Sequence, residues 1–149
     1  MYDHILVSTD GSEVAQIGVD HGLELAKQHG GRVTVVTVTE PLGGQFAFAS
    51  DLWAPSESQI AEYDEAQRKI AERILAPVEA KAKAMGIEIE TVHVPWRLPA
   101  RALVETAEKK GCSLVVMSSH GRTGLNRLVL GSQTAEVLAA ATMPVLVAR

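Results

Sequence analysis

The stretch Leu114-Val115-Val116-Met117-Ser118-Ser119-His120-Gly121-Arg122-Thr123-Gly124, followed by Gly131-Ser132-Gln133, decides the fold. Its apolar start has the composition of a buried strand. The strand opens into a glycine-bearing loop, and a helical pattern begins at Ser132. Glycines let a backbone approach a ligand closely. Free N–H groups at a helix start face outward with the positive end of the helix dipole. Arg122 and Arg127 add positive charge inside the loop. The arrangement suits an anion held by the backbone N–H groups of Gly121, Gly131, Ser132 and Gln133, with the Ser132 hydroxyl as a further donor. An ordinary connector whose Ser132 caps the last helix fits the same residues. The two roles can coexist, because a cap uses only some of the free N–H groups.

Outward from this segment, β-branched runs alternate with longer helical patterns. His4–Thr9 is a short buried strand, ended by Asp10-Gly11-Ser12, and either Ser12 or Asp10 caps a helix running to His29. Gly30-Gly31 stops that helix, and Arg32–Thr39 is a second strand, β-branched almost throughout. A loop, Glu40–Pro55, carries Phe46, Phe48 and Trp53. The helix beginning near Ser56 has a stripe of Ile60, Tyr63, Gln67, Ile70, Ile74, Val78 and Met85, and ends at Gly86. Pro77 removes one N–H, which predicts a kink or break there. Ile87–Val94 alternates as a third strand, with Ile87, Ile89, Thr91 and His93 on one face. Pro99 suits the first turn of a helix reaching Gly111. Ser113–Ser118 is a fourth strand, Ser132–Ala141 a helix and Pro144–Ala148 a last strand.

Strand–helix alternation of this kind predicts an open parallel sheet with helices on both faces, joined by right-handed crossovers. Ligands in such sheets sit beyond the carboxyl ends of the strands, where the strand order reverses. Asp10 and Ser118 end strands one and four, so both face one crevice if those strands are neighbours.

The chain has 149 residues, enough for one domain with a real core. A net charge of −4 argues against nucleic acid as the main partner and leaves a local basic loop for a small anion. Cys112 is the sole cysteine, so no internal disulfide forms, which points to a reducing, cytoplasmic compartment. The N-terminus reads as a strand rather than a signal peptide, and no apolar run reaches membrane-spanning length.

The glycine loop lacks Gly-x-x-x-x-Gly-Lys-Ser/Thr, and no Gly-x-Gly-x-x-Gly follows the first strand. Three places instead carry a resemblance. They are Val7-Ser8-Thr9-Asp10-Gly11-Ser12, then Val36-Thr37-Val38, then Ser118-x-x-Gly121, nine residues, Gly131-Ser132. In these the chain resembles the universal stress protein family from end to end. Its nucleotide-binding branch has Gly-x-x-Gly, nine residues, Gly-Ser/Thr. The resemblance implies a three-layer α/β/α, Rossmann-like fold with a five-stranded parallel sheet in the order 3-2-1-4-5, dimeric through the last strand, 144–148. It also implies ATP, or ADP or AMP, across the crevice, with magnesium accompanying the phosphates and little catalytic activity. Asp10 and the backbone of Val38 would hold the nucleoside. Thr9, Met117 and Ser118 would line the pocket, and Gly121, Gly131, Ser132 and Gln133 would hold phosphates, beside His120 and Arg122.

One departure from the motif is Ser118 in place of its first glycine. A position that demanded positive φ would strain serine by about 1 kcal/mol. Another is Arg97-Leu98-Pro99, with Trp96 before it, where many relatives have Gly-x-Pro; a bulky basic residue there rims the site or a dimer contact. Asp10 taken alone is a helix cap. His120 either touches phosphate or is merely exposed, and no partner makes it a general base. His93 reads as packing, and nothing local marks Cys112 as reactive. The Phe46/Phe48/Trp53 loop is either a lid or packed on its own domain. The resulting expectation is an ATP-binding dimeric stress regulator or sensor. Its rivals are a dimeric interaction module with no nucleotide and a slow ATPase.

Overall fold

A computed structural model describes residues 1–40, 42, 55–95, 97–119 and 130–149. Strands and helices alternate as β1 (His4–Ser8), α1 (Glu13–His29), β2 (Arg32–Thr39), α2 (Glu57–Ala84), β3 (Ile89–Pro95), α3 (Pro99–Lys110), β4 (Leu114–Ser118), α4 (Ser132–Ala140) and β5 (Val145–Ala148). The five strands form one parallel sheet in the order β3-β2-β1-β4-β5. The chain therefore works outward from β1 to β3, then returns through α3 to start β4 on the other side of β1. The seam between β1 and β4 is the switch point.

Alternation along the strands splits the core into two layers. Ile5, Val7, Val33, Val35, Leu114 and Val116 face α1 and α2. Leu6, Val36, Val115 and Met117 face the other way, toward Ala100, Leu103 and Ala107 of α3 and Val137 of α4. Both layers are lined by side chains that lose nearly all contact with water, each worth about 1.5–3 kcal/mol for a full Val, Leu or Ile.

Helix starts follow local chemistry. Ser12 caps α1, its Oγ accepting from Ala15 N at 3.1 Å, while Asp10 Oδ1 accepts from Ser12 N at 2.9 Å. The cap is thus Ser12, and Asp10 instead closes the turn after β1. Ser56 and Gln59 form a reciprocal capping box on α2.

Three expectations change. Helix α2 runs without a break past Pro77, because that proline lies on the exposed face, where water can satisfy the carbonyl it leaves unpaired. The buried face of α2 is Ala71, Leu75, Val78 and Ala82, whereas Ile70 is 38% exposed. Val78 of the expected stripe lies on that face and Ile60, Tyr63, Gln67, Ile74 and Met85 flank it half-buried, so the stripe fails at Ile70 and misses Ala71, Leu75 and Ala82. Strand β3 begins at Ile89, two residues later than the alternation predicted, since Ile87 N bonds Ala82 O at 2.9 Å and closes α2. His93, expected only to pack, also makes a cross-strand hydrogen bond. His93 Nε2 hydrogen-bonds Thr39 Oγ1 at 2.8 Å, and burial pushes the Cys112 thiol up to about 11, leaving it protonated at neutral pH.

Helix α1 lies very close to the seam. A Cβ on Gly18 would stand 2.9 Å from Ser118 N and 3.0 Å from the Met117 carbonyl carbon, and one on Gly22 would stand 2.4 Å from Val7 Cγ2. Alanine would gain about 1 kcal/mol of helix propensity at either site. Overpacking costs about 1–3 kcal/mol, so the clash dominates. Gly18→Ala and Gly22→Ala should each lower the urea midpoint without changing the m-value, unlike the exposed control Glu24→Ala. A raised midpoint in either glycine variant would contradict this packing.

Candidate functional site

The crevice opens at the carboxyl ends of β1, β2 and β4, over the switch point. It encloses about 320 Å³ and is lined by Thr9, Asp10, Val38, Glu40, Pro99, Leu103, Met117, Ser118, Ser132, Gln133 and their neighbours. Two segments distant in sequence, the turn after β1 and the start of α4, thus meet on one space.

Strand β1 ends before β2 does, and this shapes one wall. Ser8 is the last β1 residue in register with β2, opposite Val36, and Thr9 N then donates to Val36 O at 3.0 Å. The backbone of Val36 therefore faces β1. Backbone direction alternates along a strand, so Val38 points its N–H and C=O the same way, past the end of β1 and into the crevice. The turn that clears this space is built by Gly11, whose φ is 79°, a left-handed conformation favouring glycine. Thr9 Oγ1 accepts from Gly11 N at 3.1 Å and holds the turn shut.

The opposite wall is the start of α4, seated on the end of β4. Gly131 is its N-cap, and Gly131 N donates to Ser119 O at 3.0 Å. Thr134, 2% exposed, donates its hydroxyl toward the carbonyls of Ser119 at 3.1 Å and Ser118 at 3.3 Å. Ser132 is the first residue of the helix rather than its cap, and among the described residues no side chain caps α4. The first-turn N–H groups of a helix have no partner within it. Here they meet the crevice with the positive end of the dipole.

Ser118 is the last residue of β4, in register with Ala148 of β5. Pairing keeps it extended, so the positive φ that would strain serine does not arise. What distinguishes Ser118 from glycine here is its buried hydroxymethyl side chain, which adds volume and a polar group at the crevice. His120, Gly121 and Arg122 lie outside the described residues, as do Trp96, Arg127, Phe46, Phe48 and Trp53.

Glu40 and Thr134 belong to this site, and the sequence reading missed both. Glu40 stands just past β2 among residues expected to be loop, and its carbonyl accepts from Tyr63 Oη of α2 at 3.0 Å. Thr134 sits one turn into a helix, where threonine is unremarkable until the strand beneath it is known. Gln133 contributes its side chain as well as its backbone, with Oε1 accepting from Ala100 N at 3.0 Å.

A hollow of about 420 Å³ lies at the other end of the sheet, among Asp3, Lys27, Gly30, Arg32, Gly86 and Glu88. Helices α1 and α2 end there, so the dipole ends facing it are negative, and its acidic and basic side chains balance. The α4 start, by contrast, turns the positive end of its dipole to the crevice. Among the described residues no group of three or more His, Cys, Asp or Glu side chains is placed to hold a metal ion, and no helix is long and apolar enough to cross a membrane.

Together these features define an open, doubly wound α/β protein with a crevice at its switch point. The family model of the universal stress protein family matches residues 1–149, and the chain belongs to that family. It is 32% identical over 157 residues to the universal stress protein YxiE of Bacillus subtilis, covering all of both chains. The solved structure of the hypothetical protein MJ0577 is 26% identical with a TM-score of 0.84, covering 99% of this chain and 96% of that one. A universal stress protein in complex with cAMP is 24% identical with a TM-score of 0.70, covering 99% of this chain and 97% of that one, a likeness of fold.

Thr134→Val keeps the volume and removes the hydroxyl that seats α4. It should destabilise the protein by about 1–2 kcal/mol in urea unfolding, because two buried carbonyls lose a donor. An unchanged midpoint would show that the seat is held by other contacts.

Proposed function

We propose that this universal stress protein binds an adenine nucleotide in the crevice and acts as a dimeric regulator or sensor in a stress response. The observation that carries the reading is the uncapped start of α4 standing across one crevice from the inward-facing backbone of Val38. The first matches phosphate and the second matches the edge of a base. Between them, Leu103, Met117 and Pro99 offer apolar contact for a ring. Asp10 accepts from ribose hydroxyls. The carboxylates of Asp10 and Glu40 mark the nucleoside end, since they repel phosphate toward α4. That a protein of the same fold is described in complex with cAMP supports an adenine ligand.

On this reading Gly131, Ser132 and Gln133 take the phosphates with His120, Gly121 and Arg122 of the loop, and magnesium enters with the phosphates. Occupancy changes the surface that a protein partner meets, and the protein works in the cytoplasm. Purified protein should release an adenine nucleotide on denaturation. Calorimetric titration of the stripped protein with ATP, ADP and AMP should give saturable heat, weakened at least tenfold by Ser132→Ala with Asp10→Asn. No released nucleotide and no heat at millimolar ATP would leave an empty interaction module. ADP production over time, lost in Gly131→Ala, would make it an ATPase.

The dimer would form through β5, the outermost strand beyond β4. Val115 N bonds Pro144 O, and Ser119 N bonds Ala148 O. Even-numbered residues of β5 therefore turn their backbone toward β4, and Val145 and Val147 turn theirs toward the open edge. Open edges invite pairing with another chain. Val147→Pro removes an outward N–H without touching the β4 ladder. It should convert a dimer to a monomer in sedimentation velocity while leaving the far-ultraviolet circular dichroism unchanged. A variant that stays dimeric would place the interface elsewhere.

A further inference from the structure

Gln133 does something that phosphate binding through its backbone leaves unused. From the first turn of α4 its side chain reaches α3, where Oε1 accepts from Ala100 N at 3.0 Å. Helix α3 depends on this contact. Its N-cap is Leu98, which has no side-chain acceptor, and Pro99 has no N–H. Ala100 is 3% exposed, so its N–H lies away from water and would otherwise be orphaned. One glutamine thus caps a helix from another helix, and both helix starts line the crevice. With the amide oxygen on Ala100, the nitrogen and its two donors remain for a ligand.

We propose that Gln133 is a positioning residue that couples filling of the crevice to the start of α3. The inference rests on the nucleotide reading above. A phosphate held at the first turn of α4 restrains the Gln133 side chain, and Ala100 with it. Beside Ala100 stand Leu98, 67% exposed, and Arg97, whose guanidinium pairs with Glu105 at 3.5 Å. Their order then depends on occupancy, which gives a partner a surface that reports the ligand. Coupling of this kind is reciprocal, so a partner that steadies the α3 start tightens the nucleotide.

The test is amide hydrogen exchange by NMR on the full chain, with and without saturating AMP. In the parent protein AMP should slow exchange at Ala100 several-fold more than at Ala107 in the helix interior. Gln133→Ala should speed Ala100 exchange about tenfold without ligand, the scale of one lost hydrogen bond, and AMP should no longer slow it selectively. Gln133→Glu keeps an acceptor. It should restore the ligand-free protection yet bind AMP more weakly, because its carboxylate faces the phosphate. Bound AMP with unchanged Ala100 exchange would overturn the coupling alone, as would Gln133→Ala behaving like the parent. Absence of AMP binding by calorimetry would remove the nucleotide reading and the coupling together.

Discussion

The close approach of α1 to the β1–β4 seam is the constraint on which the rest depends. Gly18 and Gly22 bring the helix backbone against the sheet where the strand order reverses. At these two positions the contact leaves no room even for a Cβ. Ser118 N and the Met117 carbonyl carbon are therefore held against α1 from below, while α4 is seated from above through Thr134 and Gly131. The α4 end of the crevice is a helix start with its position fixed on both sides. Pre-organisation of this sort lets backbone N–H groups meet charge without reorganising.

Much of this architecture was legible because it rests on local chemistry. The β-branched run of Arg32–Thr39, the stop at Gly30 and Pro99 at the first turn of α3 each follow from the residue itself. The alternation of elements then implies the parallel sheet, and the three matching motifs imply its order. Less legible was anything that depends on which face a helix presents. Ile70 looks like core and is partly exposed, because its neighbour Ala71 holds the inward position in line with Leu75, Val78 and Ala82. Pro77 looks like a break and is not, because exposure on the outer face makes the missing bond inexpensive.

The candidate site divides along the same line. Asp10, Val38, Ser118 and Ser132 were found from motif and strand context, and the fold brings them onto one crevice. Glu40, Thr134 and the side chain of Gln133 were not. Each acts through a partner far away in sequence: Tyr63, the end of β4, and Ala100. A single sequence carries no local signal for such pairs, since neither member is unusual where it stands. The Ser118 question also changed in kind. Strand pairing removes the backbone objection and leaves the side chain that Ser118 adds to the crevice wall.

The proposed adenine nucleotide lies at the switch point, with its phosphates on α4. Chemical-shift mapping of the nitrogen-15-labelled chain during titration with ATP tests this placement most directly. The largest shifts should fall at Asp10, Val38, Ser132 and Gln133, with none at the far end of the sheet. Shifts centred on Gly30, Gly31 and Gly86, or saturating ATP that leaves Ser132 and Gln133 unmoved, would contradict it.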